Sequence, residues 1–152
     1  MSRLQLALNV DNVEKAVTFY TKLFGTEPVK RRPGYANFAI AEPPLKLVLI
    51  ENPGHGGSLN HLGVEVVDVD SVDAEQRRLA ELGLGSTDER GVTCCYARKD
   101  KFWVDGAPDC ERWEIYTVLA DSPTFSAASP RGTACCGAAS AAEPAPTAAT
   151  CC

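Results

Sequence analysis

The chain has 152 residues and a formal net charge of −5, long enough for one well-buried domain and too short for two of ordinary size. That balance argues against a nucleic-acid surface, because phosphate binding needs clustered Lys and Arg and the only tight run is Lys30-Arg31-Arg32, read here as a solvated strand end. No apolar run approaches the roughly 20 residues of a membrane span, and Met1-Ser2-Arg3 leads straight into a strand pattern, so a cytoplasmic protein without a membrane partner is expected.

The first strand pattern is Leu4 to Val10, followed by Asp11-Asn12, good helix-capping residues. A helix then places Val13, Ala16, Val17, Tyr20, Leu23 and Phe24 on one face, with Gly25 set to end it. Strands are predicted around Thr26 to Arg31 and Ala36 to Ile40, with Pro33-Gly34 turning between them, and a third over Leu45 to Ile50. Asn52 to Ser58 is rich in Gly and Pro and reads as a connecting loop.

The order then restarts. A strand runs from His61 to Val67, Asp70 or Ser71 caps a helix over Val72 to Leu82, and strand-like runs return around Thr93 to Ala97 and Trp113 to Val118. The fold class is therefore α+β, with half-domains of about 3–52 and 59–120 inside one domain of 1–121. From about Ser122 the composition shifts to Ala, Pro, Ser, Thr and Gly. Residues 122–152 are expected to be a disordered, Cys-containing tail, since they hold too little apolar surface to offset ordering entropy.

Laid on each other, the repeats pair Gln5 with His61. A polar residue at one place in two otherwise apolar strands costs burial energy unless it binds something, which makes His61 a candidate metal ligand. A core histidine hydrogen-bonded to a neighbour is the alternative, and Gln5 could face water at a strand edge. Of the seven cysteines, six stand as adjacent pairs: Cys94-Cys95, Cys135-Cys136 and Cys151-Cys152. Adjacent cysteines rarely close on each other, so they are read as dithiols suited to soft, thiophilic ions.

The strand from Leu4, the helix with Ala16-Val17-Thr18-Phe19-Tyr20 and Leu23-Phe24-Gly25, the restart Asn60-His61-Leu62-Gly63-Val64-Glu65-Val66, and Glu111-Arg112-Trp113-Glu114-Ile115-Tyr116 together resemble the vicinal oxygen chelate superfamily of glyoxalases, bleomycin-resistance proteins and extradiol dioxygenases. The resemblance implies two tandem βαβββ modules forming a cup around a divalent metal. The family's ligand places are taken here by Gln5, His61 and Glu114. The fourth falls near Val48, which cannot ligate, and the remaining open positions resemble those of non-haem Fe(II) oxygenases.

Gly91-Val92-Thr93-Cys94-Cys95-Tyr96-Ala97 and Gly34-Tyr35-Ala36-Asn37-Phe38-Ala39 carry a narrower resemblance, to the ArsI carbon–arsenic lyases and the related CadI cadmium-induced proteins. It implies an Fe(II)- and O2-dependent dioxygenase that cleaves the carbon–arsenic bond of trivalent organoarsenicals. Gln5, His61 and Glu114 would be its metal-binding catalytic residues and Cys94 and Cys95 would hold the arsenic. Tyr35, Tyr96, Phe102 and Trp103 are candidates to pack an aryl group. Cys110 stands where relatives usually have a turn glycine.

Bland readings accompany these. Glu114 could pair with Arg112, Cys94 and Cys95 could be small strand residues, and strict alternation would point their thiols to opposite faces unless a loop or bulge intervenes. Glu51 and His55 are alternative ligands, and Cys135, Cys136, Cys151 and Cys152 could pass soft metal inward. The functional alternatives are a cadmium, soft-metal or drug sequestering protein and a metal-dependent thiol transferase. Either a monomer or a homodimer fits the sequence.

Overall fold

The computed structural model describes residues 2–125. The tail expectation falls almost wholly beyond them, and Cys135, Cys136, Cys151 and Cys152 lie outside the described residues. The elements run β1 (Arg3–Val10), α1 (Val13–Phe24), β2 (Lys30–Arg32), β3 (Tyr35–Ile40), β4 (Leu45–Glu51), β5 (Leu59–Glu65), α2 (Val69–Glu81), β6 (Ser86–Cys94), β7 (Ala97–Val104) and β8 (Trp113–Asp121). This is βαβββ twice over. All eight strands join one sheet in the order β2-β3-β4-β1-β5-β8-β7-β6, so β1 and β5, the first strands of the two modules, meet antiparallel at its centre.

Period-two alternation gives the sheet two unlike faces. Leu6, Leu8 and Val10 of β1, Ala36, Phe38 and Ile40 of β3, and Leu45, Leu47 and Leu49 of β4 pack under α1 with Val13 and Val17. In the second half Phe102 and Ile115 take Val72 and Leu79 of α2. Phe38, Leu47 and Leu49 are fully buried, each worth about 1.5–3 kcal/mol. The residues between them, such as Gln5, Lys46 and Glu114, line the opposite, concave face.

Each helix begins on a side-chain cap. Asn12 Oδ1 accepts from the Lys15 amide at 2.8 Å, and Gly25 ends α1 at φ 62°. For α2 the cap is Asp68, which accepts from the Ser71 amide at 2.8 Å; this corrects the expected Asp70 or Ser71 and starts the helix earlier. The loop between modules is tied down by Asp11, whose carboxylate accepts from the Gly54 and Gly56 amides at 2.8 and 3.1 Å. A Cβ on Gly56 would sit 2.7 Å from that carboxylate, so a larger residue there would push Asp11 off these amides.

Two strand expectations also differ from the structure. The strand predicted over Thr26 to Arg31 is confined to Lys30–Arg32, because Pro28 has no N–H for a ladder. The run Thr93 to Ala97 is not a strand: β6 ends at Cys94, β7 begins at Ala97, and Cys95-Tyr96 form the turn of a hairpin, with φ of 54° and 59°. Among the described residues no helix is long and apolar enough to cross a membrane.

Candidate metal centre and dithiol

Strand register brings the predicted ligands together. Gln5 on β1 stands opposite Gly63 on β5, and Gly63 stands opposite Glu114 on β8. Because the middle residue has no side chain, the amide and the carboxylate meet across it. A Cβ at Gly63 would lie only 3.0 Å from Glu114 Cγ. His61, two residues before Gly63, shares that face. All three are buried, with 1%, 2% and 1% exposure for Gln5, His61 and Glu114, so Gln5 is no water-facing edge residue.

The ring of His61 is oriented by a chain of amides. Asn60 Nδ2 donates to Asn9 Oδ1 at 2.9 Å, which turns Asn60 Oδ1 towards His61 Nδ1, 2.7 Å away. That contact needs a proton on Nδ1. The other ring nitrogen, Nε2, is thereby left to face the Gln5 amide at 3.0 Å and Glu114 Oε1 at 3.4 Å.

The Gln5 amide has two orientations, one satisfied by the protein alone and one that calls for a cation. In one, Nε2 donates to His61 Nε2 at 3.0 Å and Glu114 Oε1 at 2.9 Å, while Oε1 accepts from the Tyr116 hydroxyl at 2.5 Å. Tyr116 in turn accepts from Lys46 Nζ at 3.1 Å. Turned by 180°, the amide donates to the Tyr116 oxygen, and the hydroxyl proton goes to Glu65 Oε2, 2.9 Å away. The amide oxygen then joins the imidazole lone pair and the carboxylate, a combination that repels itself without a cation between its members.

Among the described residues no cluster of three His, Cys, Asp and Glu is suited to a metal, so the set depends on Gln5 as the third donor. With it, one imidazole, one carboxylate and one amide oxygen fit a divalent ion that retains open positions.

Glu114 is held ionised by its neighbours. Burial opposes its charge, but Lys99 and Lys101, whose Nζ atoms lie 3.5 Å from Oε1 and 2.9 Å from Oε2, outweigh burial and keep the carboxyl well below its ordinary range. Arg112 is not its partner in the structure, since its guanidinium lies over the Trp103 ring at 4.1 Å. Glu51 caps α1 by accepting from the Val13 amide at 2.9 Å, and His55 is exposed in the loop. Neither belongs to the set.

Cys94 and Cys95 stand on the same concave face at the β6–β7 hairpin. Left-handed backbone at Cys95 and Tyr96 cancels the alternation that would separate the thiols, and the two sulfurs lie 3.2 Å apart, both buried. They pack with Tyr35, Tyr96 and Val48, and Phe125 covers them. Tyr35 and Tyr96 thus stand beside the dithiol, whereas Phe102 lies under α2 and Trp103 meets the His61 ring edge-on at 5.6 Å between centroids. Cys110 has φ 63°, as a residue in a turn-glycine position must.

Sequence reasoning missed Lys46, Lys99, Lys101, Tyr116 and Glu65, all on the concave face. With a divalent ion in this site, Tyr116→Phe should lower metal affinity about tenfold, the scale of losing a ligand's orienting partner, because the orientation that presents the Gln5 oxygen then loses the hydroxyl that accepts from its Nε2. Calorimetric titration under nitrogen reads this, and an unchanged affinity would show that the hydroxyl does not position Gln5.

A family model described as the Glyoxalase/Bleomycin resistance protein/Dioxygenase superfamily matches residues 3–115. The chain is 67% identical over 125 residues to the cadmium-induced protein CadI of Mycobacterium tuberculosis, covering 82% of each chain. It is 56% identical over 137 residues to the trivalent organoarsenical cleaving enzyme of Thermomonospora curvata, covering 90% of this chain and 89% of that one. An extradiol ring-cleaving dioxygenase from B. fuscum shares the fold, with a TM-score of 0.55 at 18% identity, over 78% of this chain and 33% of that one.

Proposed function

The chain belongs to the glyoxalase, bleomycin-resistance and dioxygenase superfamily, and on that premise we propose that it is an Fe(II)- and O2-dependent carbon–arsenic lyase that cleaves trivalent organoarsenicals and releases inorganic As(III). The observation that carries this reading is the pair of buried thiols, 3.2 Å apart, on the same concave face as Gln5, His61 and Glu114. The name of the Thermomonospora relative supports it.

Trivalent arsenic exchanges two hydroxyls for two thiolates with release of two waters, so Cys94 and Cys95 form two As–S bonds and leave the organic group as the third substituent. The hairpin fixes where that group points. Tyr35 and Tyr96, whose ring centroids are 5.3 Å apart, exclude water around it. Gln5, His61 and Glu114 would hold Fe(II), which when bound supplies the electron transfer that dioxygen needs to react with an organic group. Lys99 and Lys101 keep Glu114 ionised as a ligand.

For a methyl substituent the atoms balance on dioxygen alone: CH3As(OH)2 and O2 give As(OH)3 and formaldehyde. The expected result is one O2 consumed per As(III) released, measured by oxygen electrode and arsenic chromatography on Fe(II)-loaded protein. As(III) release under nitrogen would overturn the reading. The 67% identical relative is named for its induction by cadmium, which favours soft-metal sequestration as a second reading. Tight cadmium binding without any As(III) release would favour it.

A further inference from the structure

A cavity of about 200 Å³ opens beside Cys95, with Tyr35, Asn37, Lys46 and Lys99 in its lining. An engineered cavity of roughly 150 Å³ takes up benzene, so one aryl ring on a thiol-held arsenic has room here. The cavity's charge runs against that of the whole chain, whose formal net charge is −5. Arg3 and Lys46 share the carboxylate of Glu65, at 3.2 and 3.1 Å. Lys99 and Lys101 share that of Glu114, at 3.5 and 2.9 Å, and Lys101 also reaches Glu89 at 3.1 Å.

In the lining of the cavity itself four cations, Arg3, Lys30, Lys46 and Lys99, stand against two carboxylates, Glu65 and Asp121, the latter paired with Lys30. Arsenic held by two thiolates is neutral. A divalent ion at Glu114 would add two positive charges. Lys46 and Lys99 flank one ring, with Nζ atoms 5.0 and 4.3 Å from the Tyr116 centroid. Burial first, and then the charge of Lys99, push Lys46 down to about 8. The two ammonium groups therefore oppose each other, and an anion between them relieves that opposition in a site where charge is poorly screened.

We propose that this cavity selects organoarsenicals whose organic group carries an anionic substituent, such as an aryl carboxylate, with the anion seated between Lys46 and Lys99 while Cys94 and Cys95 hold the arsenic. This rests on the arsenic-binding part of the proposed function. It requires neither iron nor cleavage.

The test is equilibrium binding of two trivalent arylarsenicals, para-carboxyphenyl and para-aminomethylphenyl, to metal-free full-length protein under nitrogen in reducing buffer, followed by intrinsic fluorescence. Wild type should favour the carboxylate by about tenfold or more, the scale of one hydrogen bond to a charged group. Lys46→Met should lower the ratio several-fold, and Lys46→Arg should keep it. Each ratio is taken within one variant, so a general loss of affinity cancels. Equal affinities in wild type, or an undiminished preference in Lys46→Met, would overturn the proposal. Carboxylate-selective binding with no As(III) released on adding Fe(II) and O2 would support this inference and overturn the lyase reading.

Discussion

On the proposed site, His61→Ala should abolish Fe(II) binding and leave the fold standing. The imidazole presents its Nε2 to the site because Nδ1 is turned to Asn60, and no other described imidazole stands on that face. Alanine removes the ring and its contacts to Asn60 and Gln5 but leaves no charge behind, so the stability cost is about 1–3 kcal/mol. Calorimetric titration with Fe(II) under nitrogen, with circular dichroism as the fold control, checks it. Wild-type affinity in this variant would remove the site assignment.

Glu114→Ala also removes a ligand, yet it cannot be expected to leave the fold equally intact, as the sequence alone suggests. Its carboxylate neutralises Lys99 and Lys101, which are 3% and 1% exposed. Removing one side of a buried pair costs about 3–5 kcal/mol, a large part of the 5–15 kcal/mol typical of a domain. Glu89 offsets part of this at Lys101, 3.1 Å away. Thermal unfolding should therefore show a clearly lower midpoint for Glu114→Ala than for His61→Ala.

That contrast marks what the residues alone reveal and what they hide. Strands whose outer residues are apolar, β1, β3 and β4, stood out by alternation, and α1 by its apolar face and Asn12 cap. The duplication placed Gln5 on His61 before any coordinates did. The β7 strand stayed hidden because Arg98, Lys99, Asp100 and Lys101 offer no apolar alternation; Lys99 and Lys101 are buried against Glu114, which lies opposite in the fold. The bridging role of Gly63 was equally invisible, since it depends on the register of three strands. The turn at Cys95-Tyr96 carries neither Gly nor Asn, so nothing in its composition announced a hairpin.

That same turn underlies the last expectation: Cys94→Ser and Cys95→Ser each eliminate carbon–arsenic cleavage while Fe(II) binds as in wild type. Serine preserves the size of the side chain, and the backbone is pinned independently of the sulfurs by the Cys95 amide donating to Phe125 carbonyl at 2.5 Å. The fold is therefore retained. An alcohol does not displace hydroxyl from arsenic at neutral pH as a thiolate does, so each variant keeps one As–S bond and loses the chelate. The organic group is then free to swing about the remaining bond. Positioning, which can contribute several kcal/mol or more to a reaction between held groups, is lost with it. A pentavalent arsenical lacks the easy ligand exchange and should be neither bound nor cleaved by wild type. Arsenic chromatography after turnover of a trivalent arylarsenical, beside Fe(II) titration of the same samples, decides the matter. Undiminished As(III) release from both serine variants would mean that the dithiol does not hold the substrate.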